Sequence, residues 1–346
     1  MIRLNCDYLE GCHPSILEAL AQTNLEQTVG YGLDPHCEHA AEMIRETFDC
    51  PDAAVHFLVG GTQANTTVIA AILRPWQGVL SAVSGHINCH EAGAIESTGH
   101  KVITLPTDNG KITAQQVADY VDWHRNDEST EHIVQPGMVY ISHPTEGGTL
   151  YTKAELTALY DTCRRCGLPL FIDGARLGYG LMADGTDLTL PEIARLCDVF
   201  YIGGTKVGAL FGEAVVIMNE SLKKDFRFIM KQRGGRLAKG RLLGVQFDAL
   251  FTDDLYFRIS RHAIEMAHQI RDIFVSAGYP LLFDSPTNQQ YPIMPDAELA
   301  EIGKSFGYEY WERVDATHSG VRFCASWATT QEDRDALRAA VQALKK

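Results

Sequence analysis

From residue 55 to residue 219, short apolar runs alternate with stretches of helical spacing, and this alternation constrains the fold more than any other feature. VHFLVGG (55–61), GVLSAVS (78–84), KVITLP (101–106), MVYISHP (138–144), LPLFIDG (168–174), DVFYIGG (198–204) and EAVVIMN (213–219) read as strands with their turns. TQANTTVIAAIL, a short segment over His90–Thr98, Ala114–Trp123 and Lys153–Cys166 read as helices between them. Strands spaced by helices imply right-handed βαβ units, so an α/β fold with a mostly parallel sheet and helices on both faces. Such sheets bind ligands outside the carboxyl ends of their strands. The residues just after each run are therefore the first candidates for function.

Beyond residue 245 the pattern changes. Phe251–Ala277 reads as one long helix, LLFDSPTNQQYPIM as a strand-rich turn region, GVRFCASW as a strand and Gln331–Leu344 as a closing amphipathic helix. The division expected is a large domain over residues 1–245 and a smaller α+β domain over 246–346. Residues 1–10 or so are free to pack with the smaller one.

Composition removes several classes of function. The formal net charge is −14 over 346 residues, and such a surface repels phosphate backbones and anionic membranes. Ala53–Leu73 lacks Asp, Glu, Lys and Arg, but Gly60, Gly61, Thr62, Gln63 and Asn65 sit in its middle, so it reads as strand, turn and helix and not as a membrane span. The N-terminal MIRLNCDYLEG has no apolar segment of the secretory kind. With nine scattered cysteines, this points to reduced thiols and a cytoplasmic setting. Cys163 and Cys166 form a C-x-x-C pair within a helical stretch with no second pair at metal spacing, so no metal site is expected.

The chemistry begins with Asp173 and Lys206. Each ends a strand, 33 residues apart, and so on neighbouring βα units. A carboxylate and an amine there can grip two ends of one flat cofactor. Pyridoxal 5′-phosphate (PLP) needs this pair: a lysine amine to bond its aldehyde, and a carboxylate to keep its ring nitrogen protonated. GGTQAN (60–65), at a strand–helix turn, offers Gly60, Gly61 and Thr62 to a phosphate. It is neither a G-x-x-x-x-G-K-[ST] loop nor G-x-G-x-x-G, which counts against nucleotides. His86, after the second strand, can stack on a flat ring, with Glu91 placed to orient it, whereas His90 reads as structural. Arg176 and Arg322 can fork onto a carboxylate, which suits an amino-acid substrate.

The runs LVGGTQAN, GHINCHEAGA, FIDGARLG, GGTKVGA and GVRFCASW, with YGLDP (31–35), together resemble the L-threonine aldolases, of the β-eliminating lyase group of fold-type I PLP enzymes, from about residue 5 to residue 335. The resemblance implies Lys206 as the lysine bonded to the cofactor, with Thr205 beside it, and Asp173 as partner of the ring nitrogen. It implies His86 as the stacking histidine, Gly61 and Thr62 as phosphate contacts, and Arg176 and Arg322 as the clamp on the substrate carboxylate. Tyr31 is implied to reach the site of a neighbouring subunit, in a homodimer or homotetramer with active sites at the interface. Lys239 is the chosen basic phosphate contact of RGGRLAKGRLLG, with Arg236 and Arg241 as alternatives.

The chain also departs from the family pattern. Cys6-Asp7 stands where members open with Ser-Asp, which assigns Cys6 to the substrate carboxylate. SHPTEGG (142–148) replaces E-N-T-H-N, so a second active-site histidine is matched only by the nearby His143. The expected reaction is Cα–Cβ cleavage of L-threonine, L-allo-threonine or a related β-hydroxy-α-amino acid to glycine and an aldehyde. The base for the β-hydroxyl is left open among His86, His143 and water, with His86 the best placed. The rivals are a PLP-dependent β-eliminating lyase or aminotransferase acting on another amino acid, and a non-catalytic ligand-binding protein of the same fold.

Overall fold

A computed structural model describes residues 1–345. Seven strands form the central sheet: β1 (Ala54–Leu58), β2 (Gln77–Ala82), β3 (Val102–Leu105), β4 (Gln135–Ser142), β5 (Leu170–Asp173), β6 (Val199–Gly203) and β7 (Glu213–Ile217). Their order across the sheet is β1-β7-β6-β5-β4-β2-β3. All the pairings among β2 to β6 are parallel, whereas β7 runs antiparallel to both β1 and β6. The expected parallel sheet thus carries one reversed strand. Only nine residues separate β6 from β7, too few for a helical crossover, so the chain turns straight back.

Successive side chains on the strands enter different cores. On β4, Val139 and Ile141 join one hydrophobic cluster while Met138 and Tyr140 join another. On β5, Leu170 and Ile172 part from Phe171, and on β6, Phe200 and Ile202 part from Val199 and Tyr201. This is the period-2 signature of a sheet buried on both faces. The covering helices are locally encoded. Lys153–Cys166 starts at a Thr152–Glu155 capping box and stops at Gly167 in the left-handed region. The segment expected over His90–Thr98 is instead a four-residue helix, His86–Cys89, and a 3₁₀ turn, Glu96–Thr98.

The small-domain sheet holds β8 (Gln289–Gln290), β9 (Ile293–Pro295), β10 (Glu309–Arg313) and β11 (His318–Cys324), with β11 pairing antiparallel to each of the other three. The expected boundary after residue 245 falls inside the helix Arg241–Phe251, whose Leu243, Phe247 and Leu250 belong to the large core. The following helix, Leu255–Ser276, gives Tyr256, Ile259, Ala263 and Ile264 to that core. Its later residues Met266, Ala267, Ile270, Ile273 and Phe274 lie in the small-domain core. Leu4 also lies there, and Ile2–Arg3 pairs with Phe306–Gly307. The nine cysteines are all free.

Candidate active site

A cavity of about 690 Å³ opens at the carboxyl edge of β5 and β6. Its walls bring together Gly60, Gly61, Thr62, His86, Asp173, Arg176, Thr205, Lys206 and Arg322. Residues scattered over 263 positions of the chain thus share one space of the size that holds a cofactor with a small substrate.

Asp173 is buried and ends β5. Its Oδ1 accepts from the Tyr201 hydroxyl and, at 3.0 Å, from the Ala175 N–H. Its Oδ2 accepts from the Tyr140 hydroxyl at 2.5 Å and from Asn65 Nδ2 at 3.1 Å. Burial alone would raise this carboxyl. The charge of His86, the two tyrosine hydroxyls and the Ala175 N–H outweigh burial and hold it below the usual range. Tyr140 and Tyr201 come from the strands on either side, on the same sheet face as Phe171. Gly174 follows because a Cβ there would stand 2.0 Å from the Tyr201 carbonyl oxygen.

Lys206 follows β6. Among the described residues its Nζ makes neither a hydrogen bond nor an ion pair. Burial and the Arg176 guanidinium hold its pKa below the ordinary lysine value. A lowered pKa eases loss of the proton that a nucleophilic amine must shed. Nearby Glu213, the first residue of β7, is pushed up to about 8 by burial, against the opposing pull of Thr205, Lys206 and the Gly204 N–H. Thr205 takes part in this local network, its Oγ1 accepting from the Gly212 N–H at 3.0 Å.

The helix Gly61–Ile72 points its N-terminus into the cavity with no side chain capping it. Its first N–H groups therefore lack helical partners. A Cβ built at Gly60 meets nothing within 4 Å. Open space before unpaired N–H groups is the chemistry of an anion cradle.

His86 Nδ1 lies 2.8 Å from Glu91 Oε1. Burial pulls this imidazole down, but Glu91 and the charge of Asp173 pull it further up, so its pKa is raised. Asn65 Nδ2 also donates to Glu91 Oε1 at 2.7 Å, and so links the carboxylates of Glu91 and Asp173.

Both arginines expected as a clamp line the cavity, each already holding protein partners. Arg176 spends its fork on Asp7, Nε on Oδ2 at 2.7 Å and Nη2 on Oδ1 at 2.9 Å. The fork uses one N–H each of Nε and Nη2, which leaves both N–H groups of Nη1 and the second of Nη2 at the cavity wall. Arg322 is less committed: Nη1 donates to Gln289 Oε1 at 3.0 Å and Nη2 to the Asn5 carbonyl at 2.9 Å. The remaining N–H donors of its Nη atoms are the ones left for a carboxylate at the cavity wall.

Other expected residues lie elsewhere. His143 is fully buried away from the cavity wall; it accepts from the Tyr151 N–H at 3.4 Å and is pulled down to about 4 by burial. Glu146, three residues on, lines the cavity instead. Cys6 is buried and absent from the wall, to which Tyr8 contributes. Tyr31 lines a separate cleft with Arg227, Arg236 and Gly240, and Lys239 is exposed outside the cavity. His90, read as structural, faces the cavity. Glu309, Tyr310 and Trp311 complete the mouth from the small domain, a contribution that no local motif signals.

Residues 4–342 match the beta-eliminating lyase family. The chain is 30% identical over 342 residues to the low specificity L-threonine aldolase of Pseudomonas sp. (strain NCIMB 10558), covering 98% of this chain and 96% of that one. A solved threonine aldolase from Leishmania major superposes with a TM-score of 0.97 at 42% identity, covering all of both chains. An aspartate aminotransferase from Thermus thermophilus, at 15% identity and a TM-score of 0.71, covers 99% of this chain and 91% of that one and shares the fold alone.

Proposed function

We propose, from the premise that this chain belongs to the beta-eliminating lyase family, that it is a PLP-dependent lyase cleaving L-threonine, L-allo-threonine or a related β-hydroxy-α-amino acid to glycine and an aldehyde. One observation carries the reading: the unpaired amine of Lys206, the ionised Asp173, His86 and Arg322 face one cavity beside an uncapped helix N-terminus. The Pseudomonas relative is a low specificity L-threonine aldolase and the Leishmania relative a threonine aldolase, which supports this reading.

The residues present fit PLP. The cradle at Gly60–Thr62 suits its phosphate, Asp173 its ring nitrogen, the His86 imidazole the face of its ring, and Lys206 its aldehyde. Bound there, PLP supplies a protonated ring that accepts the electron pair released from Cα. The protein does the rest. Burial and the Arg176 charge lower the pKa of Lys206, which would ease loss of the proton that its amine must shed to hold the PLP aldehyde. Asp173, held ionised by its four donors, keeps the ring proton in place. Arg322 orients the substrate carboxylate, and orientation selects the Cα–Cβ bond for cleavage. Arg176, fixed by Asp7, lowers the pKa of Lys206 by its charge.

A neighbouring subunit would complete this site with Tyr31 and Lys239, in a homodimer or homotetramer. Exposed Leu9, Leu17, Leu25, Val29 and Leu33 on the N-terminal segment support such an interface. Free thiols support a reducing, cytoplasmic setting, and among the described residues no helix is long and apolar enough to cross a membrane.

The test is glycine release from L-threonine by purified protein supplied with PLP. Keto-acid production without glycine would replace this reading by elimination or transamination. Lys206→Ala should lose both turnover and the yellow colour of the holoenzyme.

A further inference from the structure

Glu146 has no part in the reaction as described so far, yet it faces the same cavity. It sits in the turn after β4, and its carboxylate is anchored on one side only. Oε1 accepts from the His86 backbone N–H at 2.8 Å and from the Ser142 hydroxyl at 2.6 Å. No donor from another residue reaches Oε2 among the described residues. The Glu146 carbonyl accepts from the Tyr291 hydroxyl at 2.8 Å and from Gln289 Nε2 at 3.3 Å. Both donors belong to the small domain, so the turn is held from the large domain and the small one together.

The two acid–base groups at this wall differ in their partners. His86 Nδ1 is taken up by Glu91 Oε1 at 2.8 Å, whereas Glu146 Oε2 has no such partner. Burial, aided by the charge of Asp173, raises the carboxyl of Glu146. A carboxylate raised toward neutrality is a stronger base than an ordinary one and remains an acceptor.

We propose that Glu146 Oε2 is the base that takes the proton of the substrate β-hydroxyl as the Cα–Cβ bond breaks. This rests on the aldolase reading given above. The O–H pair becomes the second bond of the aldehyde, the Cα–Cβ pair stays with Cα, and Cα gains one proton in place of the one lost from oxygen. The products together hold every atom of the substrate, so neither water nor an oxidant is consumed. Ser142 and the His86 N–H act as positioning groups, turning Oε2 toward the ligand by holding Oε1.

Glu146→Gln tests this in the holoenzyme. Its amide oxygen can keep both anchors and only Oε2 becomes an NH₂. Two rates are read: glycine release from L-threonine, and exchange of the glycine α-proton with D₂O, which needs Lys206 and Asp173 but no base at a β-oxygen. Glycine release should fall roughly a hundredfold or more while exchange changes by less than about threefold. Glu146→Asp, which keeps a carboxylate, should recover part of the cleavage. Cleavage by the Gln variant at near the wild-type rate, a parallel loss of both rates, or an Asp variant no better than the Gln one would each overturn the proposal. Wild-type enzyme that exchanges glycine but releases none from threonine would instead overturn the aldolase reading, and the proposal with it.

Discussion

Asp7 holds Arg176 with both carboxylate oxygens, and the pair is buried at the cavity wall. Asn288 Nδ2 adds a third donor to Asp7 at 2.9 Å. Breaking such a pair from one side leaves a buried charge with no partner. Asp7→Asn should cost about 3 kcal/mol of stability, read by urea unfolding at neutral pH. Arg176 and its neighbours depress the Asp7 carboxyl to about 2, from 3.8, although burial opposes them. A depressed carboxyl contributes fully above its unfolded pKa and loses that contribution as pH falls through the folded value. The gap between wild type and Asp7→Asn should therefore be constant above about pH 4 and shrink toward pH 2.

Two glycines should respond in opposite ways to a side chain. Gly60 has extended backbone and open space beside it. Gly60→Val should fold with stability within about 1 kcal/mol of wild type. It fills the anion cradle, so the dissociation constant for PLP should rise tenfold or more, about 1.4 kcal/mol, by absorbance titration. Gly174 has the Tyr201 carbonyl where its Cβ would stand. Gly174→Ala should lose about 2 kcal/mol or more in unfolding experiments because backbone must move.

Asn65 Nδ2 donates to both Glu91 and Asp173. Removing it leaves two carboxylates facing each other across a space with less to separate them. Hydrogen bonds to charged groups are worth about 1.5–3 kcal/mol, so Asn65→Ala should lower kcat/KM by roughly tenfold to a hundredfold. A steady-state assay at saturating PLP checks this. A loss confined to PLP affinity would assign Asn65 to cofactor binding alone.

His86 carries the opposite pH signature to Asp7. Its pKa is raised in the fold by Glu91 and Asp173 against the pull of burial. A raised imidazole stabilises the fold fully below its unfolded pKa, and that contribution fades as pH rises through the folded value. The stability advantage of wild type over His86→Asn should be largest below pH 6.5 and decline above it, as followed by chemical denaturation at stepped pH.

Asp173 and Lys206 were legible because parallel strands bring their last residues to one edge, a rule that needs only strand ends. Glu213 escaped the same rule because β7 is reversed and brings its first residue there. Tyr140 and Tyr201 read as ordinary strand aromatics; only the pairing of β4, β5 and β6 turns their hydroxyls onto Asp173. Asp7 and Arg176 are 169 residues apart, and no local pattern announces such a partner. That pairing occupies one edge of the Arg176 guanidinium. Glu146 hides in a turn with no periodicity, three residues from the histidine that drew attention. Past the boundary expected at residue 245, Arg241–Phe251 and Leu255–Ser276 both bury large-core residues, and composition does not record which core a helix faces.

The helix Leu255–Ser276 runs for 22 residues and supplies both hydrophobic cores. Neither core can melt while leaving the other its full complement of buried side chains. The two lobes are therefore coupled against heat, and calorimetry of the protein should record them unfolding in one transition and not in two separate ones.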